Sequence, residues 1–338
     1  MAKASDTSIP YDHIGVIGGG AWGTALALVA AQAGRRTTLW ARESAVVDSI
    51  NAVHENPAFL PKVPLPAAIR ATTDLAEAAR AEALLLVIPA QHLRAVLARL
   101  TPHLAAATPL TLCAKGIERG TGLLLTEVLQ AAAPAATPAI LSGPSFARDV
   151  GLGLPTAITI AASDLAIAQR LQASLAHAQF RPYASDDPTG VALGGAAKNV
   201  YAIGCGIADG LGLGESARAA LLARSFAELT RLGDALGARP ETLMGLSGLG
   251  DLVLTASSPS SRNFAFGRKL GAGTPLATLT APGMPLAEGF ATAPALVARA
   301  ARQDIELPIA ETIATVLSGA LPAAQALAKL MSRPLKPE

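Results

Sequence analysis

The chain has 338 residues, of which 51% are apolar and 15% charged, so it carries far more core-forming material than a disordered tail. Its 27 basic and 25 acidic residues leave a net charge of +2, which gives no electrostatic footprint for wrapping nucleic acid or an anionic membrane. Two cysteines, Cys113 and Cys205, exclude a disulfide framework and a cysteine-rich zinc site, and no metal is expected. The opening MAKASDTSIP lacks the apolar run of a secretory signal, and no run of about 20 continuous apolar residues occurs. A cytoplasmic protein of about two domains, without stable membrane insertion, is the expectation.

From residue 12 to about 185, short apolar or β-branched runs alternate with Ala/Leu-rich stretches at helical spacing. Strands are predicted at HIGVIG from His13, RTTLWA from Arg36, ALLLVIP from Ala83, PLTLCA from Pro109, AILSG from Ala139 and TAITIAA from Thr156. Helices are predicted at TALALVAAQAG after Gly23, HLRAVLARL after Gln91 and LLLTEVLQAAA after Gly122. Repeated strand–helix units imply an α/β fold: a doubly wound, parallel, Rossmann-type sheet. After about residue 187 the β-rich runs stop, and segments such as SARAALLARSFAELTRLGDALG predict an all-helical second domain. The expected division is therefore 1–187 and 188–338. Pro294, Pro308 and Pro322 are expected near helix starts, where a missing backbone donor costs little.

GGGAWG follows the first strand and opens the first helix, with Gly18, Gly20 and Gly23 in the GxGxxG positions. In that context the first glycine permits the tight turn, the second lets a pyrophosphate approach, and the third lets helix and strand pack closely. The helix amino end attracts the phosphates. An acid at the end of the second strand would accept a ribose hydroxyl, whereas an arginine would accommodate a 2′-phosphate. Here LWARES sets Arg42 before Glu43, which permits NADP without excluding NAD. NADP, or use of both cofactors, is favoured over strict NAD.

All five histidines precede residue 180, so the helical half must move protons by another residue type. There are seven lysines against twenty arginines, and from Pro188 to Ala208 Lys198 is the one charged side chain. Burial there would lower its pKa toward neutrality, as a general acid or base requires, and Lys198 is the catalytic candidate. Lys115 in CAKGIERG and the SGPSFA segment from Ser142 both follow strands, where open α/β sheets bind ligands. Asp251 lies in an apolar glycine-rich stretch, and Ser261, Arg262 and Asn263 stand at a predicted helix start suited to an anion. The fork geometry of arginine suits phosphate, so a small phosphorylated substrate is expected.

GGGAWGTALA, NPAFLPKVPLP, AKGIERG, LSGPSFA, AAKNVYAIGCGIADGLGLG, SGLGDLVLTASSPSSRNFAFG, AEGFATAPA and ELPIAETIATVL run nearly the whole chain. Together they resemble the bacterial type of the NAD(P)-dependent glycerol-3-phosphate dehydrogenase family, motif by motif and in order. The resemblance implies an oxidoreductase interconverting sn-glycerol 3-phosphate and dihydroxyacetone phosphate, supplying glycerophospholipid synthesis. It implies Lys198 as proton acceptor, with Lys115, Gly143, Ser145, Lys198, Asp251, Ser261, Arg262 and Asn263 contacting the three-carbon substrate. It places Trp22, Arg42, Lys115, Ala147, Arg262, Leu286 and Glu288 at the cofactor, beside Gly18, Gly20 and Gly23 of the glycine turn. The sequence departs from the family pattern at Ala256, Ser216 and Ala287, none of which has a proposed catalytic role. Asp251 is expected to orient Lys198, and the large apolar helical half suggests a homodimer.

Overall fold

The computed structural model describes residues 9–285, 287–332 and 334, and the chain divides into two compact units. One runs up to Ala114 and resumes over Leu125–Val191; the other comprises Lys115–Leu124 and everything from Ala192 onward. The ten residues 115–124 therefore group with the helical unit although they follow a strand of the first, which no composition shift in the sequence marks.

The first unit is built on an eight-stranded sheet in the order β3-β2-β1-β4-β5-β6-β7-β8. The strands are β1 (His13–Ile17), β2 (Arg36–Trp40), β3 (Ile69–Thr72), β4 (Ala83–Leu86), β5 (Pro109–Leu112), β6 (Thr137–Ser142), β7 (Thr156–Ala162) and β8 (Phe180–Ser185). The order reverses at β1, which pairs in parallel with both β2 and β4, and the β1 end is a topological switch point of the kind that receives ligands. Strands β1, β4 and β5 are buried along their whole length, as strands covered on both faces must be. The sheet is not wholly parallel. β7 runs antiparallel to β6, and β8 follows β7 in parallel, so the last pair points the other way.

Two strands escape the sequence reading. β3 is only IRAT, four residues with Arg70 exposed, and β8, FRPYAS, alternates buried and exposed positions and holds Pro182. Each lies at a sheet edge, where a short strand or a proline is tolerated because ladder bonds are needed on one side only.

From Pro188 on, the described residues hold helices and no strand. Helix Pro188–Gly210 is long and apolar enough to cross a membrane, yet its most apolar stretch is wholly buried, which makes it the central helix of the unit. It lies backbone to backbone against helix Arg262–Gly271: a Cβ at Gly267 would sit 2.1 Å from the Ile203 carbonyl, and one at Gly206 2.2 Å from that of Phe264. Any side chain at those positions would push the two helices apart. Helix Gly214–Ala235 and helix Pro308–Leu317 are pinned by Glu228, whose carboxylate accepts from the amides of Ile309 (2.7 Å) and Ala310 (3.2 Å) and from the Tyr201 hydroxyl (3.3 Å). Those amides belong to a helix N-terminus that has no side-chain cap of its own. Burial pushes the Glu228 carboxyl up to about 7, against the pull of the two amides, Arg231 and Tyr201.

Pro308 does open its helix, and Pro322 precedes the helix Ala323–Met331. Pro294 differs from expectation: it lies inside helix Glu288–Ala301, where it deprives the Phe290 carbonyl of its usual amide partner.

Candidate active site

In the first unit, β1 runs into a turn that only glycine can make. Gly18 has φ of +132°, and a Cβ there would lie 2.3 Å from the Val87 carbonyl. A Cβ at Gly23 would fall 1.7 Å from the Gly18 carbonyl, so the third glycine lets helix Ala21–Gln32 sit on its own turn. Gly20 is different, since a Cβ there would meet nothing within 4 Å. Its missing side chain leaves open space in front of a helix N-terminus that has no side-chain cap, with its first amides directed outward. That cradle fits a pyrophosphate, and the residues present suit a dinucleotide. Trp22 is half-buried and packs against the core of the same unit.

At the end of β2, Arg42 is exposed and donates through Nε (2.9 Å) and a terminal nitrogen (2.7 Å) to Glu43. Base and acid thus share one position beyond the strand. Gly143 and Ser145 follow β6, in the first unit as well. Gly143 has φ of +150° with the Ile158 backbone behind it, and the Ser145 hydroxyl donates to the Gly143 carbonyl at 3.0 Å. Ala147 opens the helix Ala147–Gly151. Leu286 lies outside the described residues.

The second unit gathers the charged candidates. Asp251 is 1% exposed, and its two carboxylate oxygens each take one ammonium: Lys198 at 2.5 Å and Lys115 at 2.6 Å. Lys198 also donates to the Thr255 hydroxyl at 2.8 Å. Local structure explains the convergence. Leu246–Gly250 forms a wide π-type turn that passes directly into helix Asp251–Ser257, and Thr255 lies one α-turn beyond Asp251, on the same face. Lys198 projects from the middle of the central helix, and Lys115 heads the 115–124 segment.

The buried Lys198 ammonium and the partly buried Lys115 ammonium crowd two positive charges onto one buried carboxylate. Burial pulls the Lys198 amine down to about 7; the Asp251 charge pulls it up and Lys115 pushes it down again, without reversing the result. Burial alone would raise Asp251, but Lys115 and Lys198 outweigh it and hold the carboxyl below its usual value. The arrangement therefore keeps a carboxylate ionised and leaves one amine able to exchange a proton near neutral pH.

Ser261 is the N-cap of helix Arg262–Gly271, its hydroxyl accepting from the Phe264 amide at 3.2 Å, and Arg262 is exposed at the first helical position. Asn263 has its side chain committed within the protein: Oδ1 accepts from the Gly289 amide (2.9 Å) and Nδ2 donates to Asn199 (2.9 Å). Asn199 in turn reaches the Lys115 carbonyl at 3.4 Å. Glu288 begins helix Glu288–Ala301, one residue before that Gly289 amide. The structure thus joins Lys115, Lys198, Asp251 and Asn263 in one polar network and adds Thr255 and Asn199, which sequence reasoning missed. The spacing of Asp251 and Thr255, one helical turn, and the adjacency of Asn199 to Lys198 were the signals available.

A switch-point glycine cradle in one unit marks a dinucleotide-binding α/β protein, and the other unit sets a lysine pair on a buried carboxylate. Residues 13–168 match the family model described as the N-terminus of NAD-dependent glycerol-3-phosphate dehydrogenase, and residues 187–328 match the C-terminus of the same family. The chain is 55% identical over 331 residues to "Glycerol-3-phosphate dehydrogenase [NAD(P)+]" of Parvibaculum lavamentivorans, covering 98% of this chain and 99% of that one. It is 56% identical to the protein of the same name from Rhodospirillum rubrum, over 97% and 94% of the two chains. The crystal structure of glycerol-3-phosphate dehydrogenase from Coxiella burnetii superposes with a TM-score of 0.90 at 37% identity, over 96% of this chain and 99% of that one. The chain belongs to the NAD-dependent glycerol-3-phosphate dehydrogenase family.

Proposed function

We propose that the chain interconverts sn-glycerol 3-phosphate and dihydroxyacetone phosphate, with Lys198 as the group that moves the proton. The observation that carries this reading is the Lys198 amine, 6% exposed, held between Asp251 and Thr255 and pulled down to about 7. The glycine cradle would hold the pyrophosphate of a dinucleotide, whose nicotinamide would supply hydride acceptance and return. Lys198 does the rest of the chemistry. As the neutral amine it takes the proton of the substrate hydroxyl during oxidation, and as the ammonium it returns a proton to the carbonyl oxygen during reduction. Asp251 and Thr255 fix the direction of its nitrogen. Lys115 faces the same carboxylate and adds positive charge where oxygen carries negative charge in the transition state.

The phosphate falls to Ser261, Arg262 and Asn263. Arg262 offers an exposed guanidinium beside outward-pointing helix amides, while the committed side chain of Asn263 makes its backbone amide the available donor. Gly143 and Ser145 are proposed for the substrate, and Trp22, Arg42, Lys115, Ala147, Arg262, Leu286 and Glu288, with the glycine turn, for the cofactor. The Arg42–Glu43 pair favours use of both cofactors, since guanidinium and carboxylate can each meet its own ribose substituent. The working division keeps residues 1–187 as the range that carries the glycine turn for the nucleotide, and 188–338 as the range that carries Lys198, Asp251 and the proposed phosphate contacts. A cytoplasmic homodimer feeding glycerophospholipid synthesis completes the reading.

The test is oxidation of reduced cofactor, followed by absorbance, with dihydroxyacetone phosphate and separately with dihydroxyacetone and unphosphorylated 2-oxoacids. Turnover confined to the phosphorylated ketone is the expected result; preference for an unphosphorylated acid would overturn the assignment.

A further inference from the structure

The NPAFLPKVPLP segment has no role in the chemistry above, yet it is anchored more firmly than an ordinary surface loop. Leu60, Val63 and Leu65 are buried in the core of the first unit, the Leu60 amide donates to the Asn56 carbonyl at 2.8 Å, and that of Leu65 to the His54 carbonyl at 2.9 Å. The loop delivers one side chain, that of Asn56, 1% exposed, to the glycine turn. Its Nδ2 donates to the Gly19 carbonyl at 2.9 Å and to the Thr24 hydroxyl at 2.7 Å. A carbonyl only accepts, so the amide orientation is fixed by chemistry. Oδ1 is buried with no hydrogen-bond partner among the described residues. An orphaned buried acceptor is costly, and Asn56 is held there for what its donor end does.

The trans peptide plane between Gly19 and Gly20 transmits that effect. In such a plane the C=O and the N–H point to opposite sides, and none of the described peptide bonds is cis. Holding the Gly19 carbonyl inward on Asn56 turns the Gly20 N–H outward, at the position where the glycine leaves open space. We propose that Asn56 is a positioning residue for the dinucleotide: through the Gly19 carbonyl it aims the Gly20 amide at the pyrophosphate. Thr24 anchors the same amide group from the first helix, so loop, turn and helix start form one rigid cradle. The inference rests on the cofactor reading given above.

Asn56→Leu keeps the volume and removes the donor, Asn56→Gln keeps a donor on a longer arm, and Thr24→Val removes only the anchor. The readout is the dissociation constant of reduced cofactor, measured by direct fluorescence titration, with melting temperature, kcat and the Michaelis constant for dihydroxyacetone phosphate alongside. One lost hydrogen bond and a misaimed amide predict about a tenfold weaker cofactor affinity for Asn56→Leu. Asn56→Gln is expected to recover part of it and Thr24→Val to lose about threefold, each with the ketone's Michaelis constant within about twofold of the parent. Wild-type affinity in a folded Asn56→Leu overturns the proposal, as does loss of both affinities in proportion to a lowered melting temperature. Should Asn56→Leu not fold, Thr24→Val and Asn56→Gln decide: parental cofactor affinity in the first, together with no weakening in the second relative to the parent, refutes it. A wild-type protein that binds no reduced cofactor instead removes the functional reading beneath it.

Discussion

The two units build their sites by opposite means. At the glycine turn the work is done by backbone shaped through missing side chains: Gly18 and Gly23 cannot bear a Cβ, and Gly20 leaves space. In the helical unit it is done by long charged side chains that meet from positions 115, 198 and 251 around one buried carboxylate. The first is a matter of shape and tolerates no change of volume; the second is a matter of charge and responds to pH. Binding without chemistry should therefore survive damage to the second site, and the variants below separate the two.

Lys198→Ala should do the most damage. Losing the proton-transfer group predicts a fall in kcat of about 100- to 10,000-fold, with the cofactor dissociation constant unchanged. Single-turnover kinetics beside a binding titration check this, and equal loss of binding would erase the distinction between the units. Arg262→Ala comes next: removal of a charge-assisted phosphate contact predicts a Michaelis constant for dihydroxyacetone phosphate raised about 10- to 100-fold with a smaller change in kcat. An unchanged Michaelis constant would remove the phosphate from that helix start.

A subtler change is expected for Lys115→Met. Lys115 pushes the Lys198 amine down, so its removal lets that pKa rise, and the descending limb of ketone reduction should move to higher pH. A limb that stays in place or moves down would show that Lys115 does not act on Lys198. The smallest effect concerns stability. The Glu228 carboxyl is raised from 4.5 to about 7 in the folded state, so between those values the native protein holds more protons than the unfolded chain. Its contribution is fully present below about 4.5 and is lost as pH rises through about 7. Thermal melts from pH 5 to 8 should show that slope in the parent and a flatter one in Glu228→Gln; parallel slopes would contradict it.

The same contrast explains what could be read from the sequence. The glycine turn is local, and its three glycines sit between a recognisable strand and helix, so order and spacing sufficed. The buried strands were equally plain because each is a short apolar run; β3 and β8 were hidden by being edge strands with Arg70 and Pro182 in them. The reversed direction of β7 and β8 leaves no local trace, because strand polarity is set by the path of the connection. Lys198 stood out as an isolated charge in an apolar helix, with Asp251 expected to orient it, whereas Thr255 became visible only through a tertiary contact across tens of residues. Thr255 and Asn56 are ordinary polar residues whose importance lies in the atoms they meet.

Everything proposed for the helical unit depends on Lys198 changing its charge near neutral pH inside a buried cluster. Titration of the folded protein labelled with ¹⁵N-lysine, its Lys198 resonance assigned with the alanine variant, reads that charge directly. A transition at about 7 is the predicted result. An ammonium that persists to the pH where free lysines titrate, roughly 10.4, would contradict it.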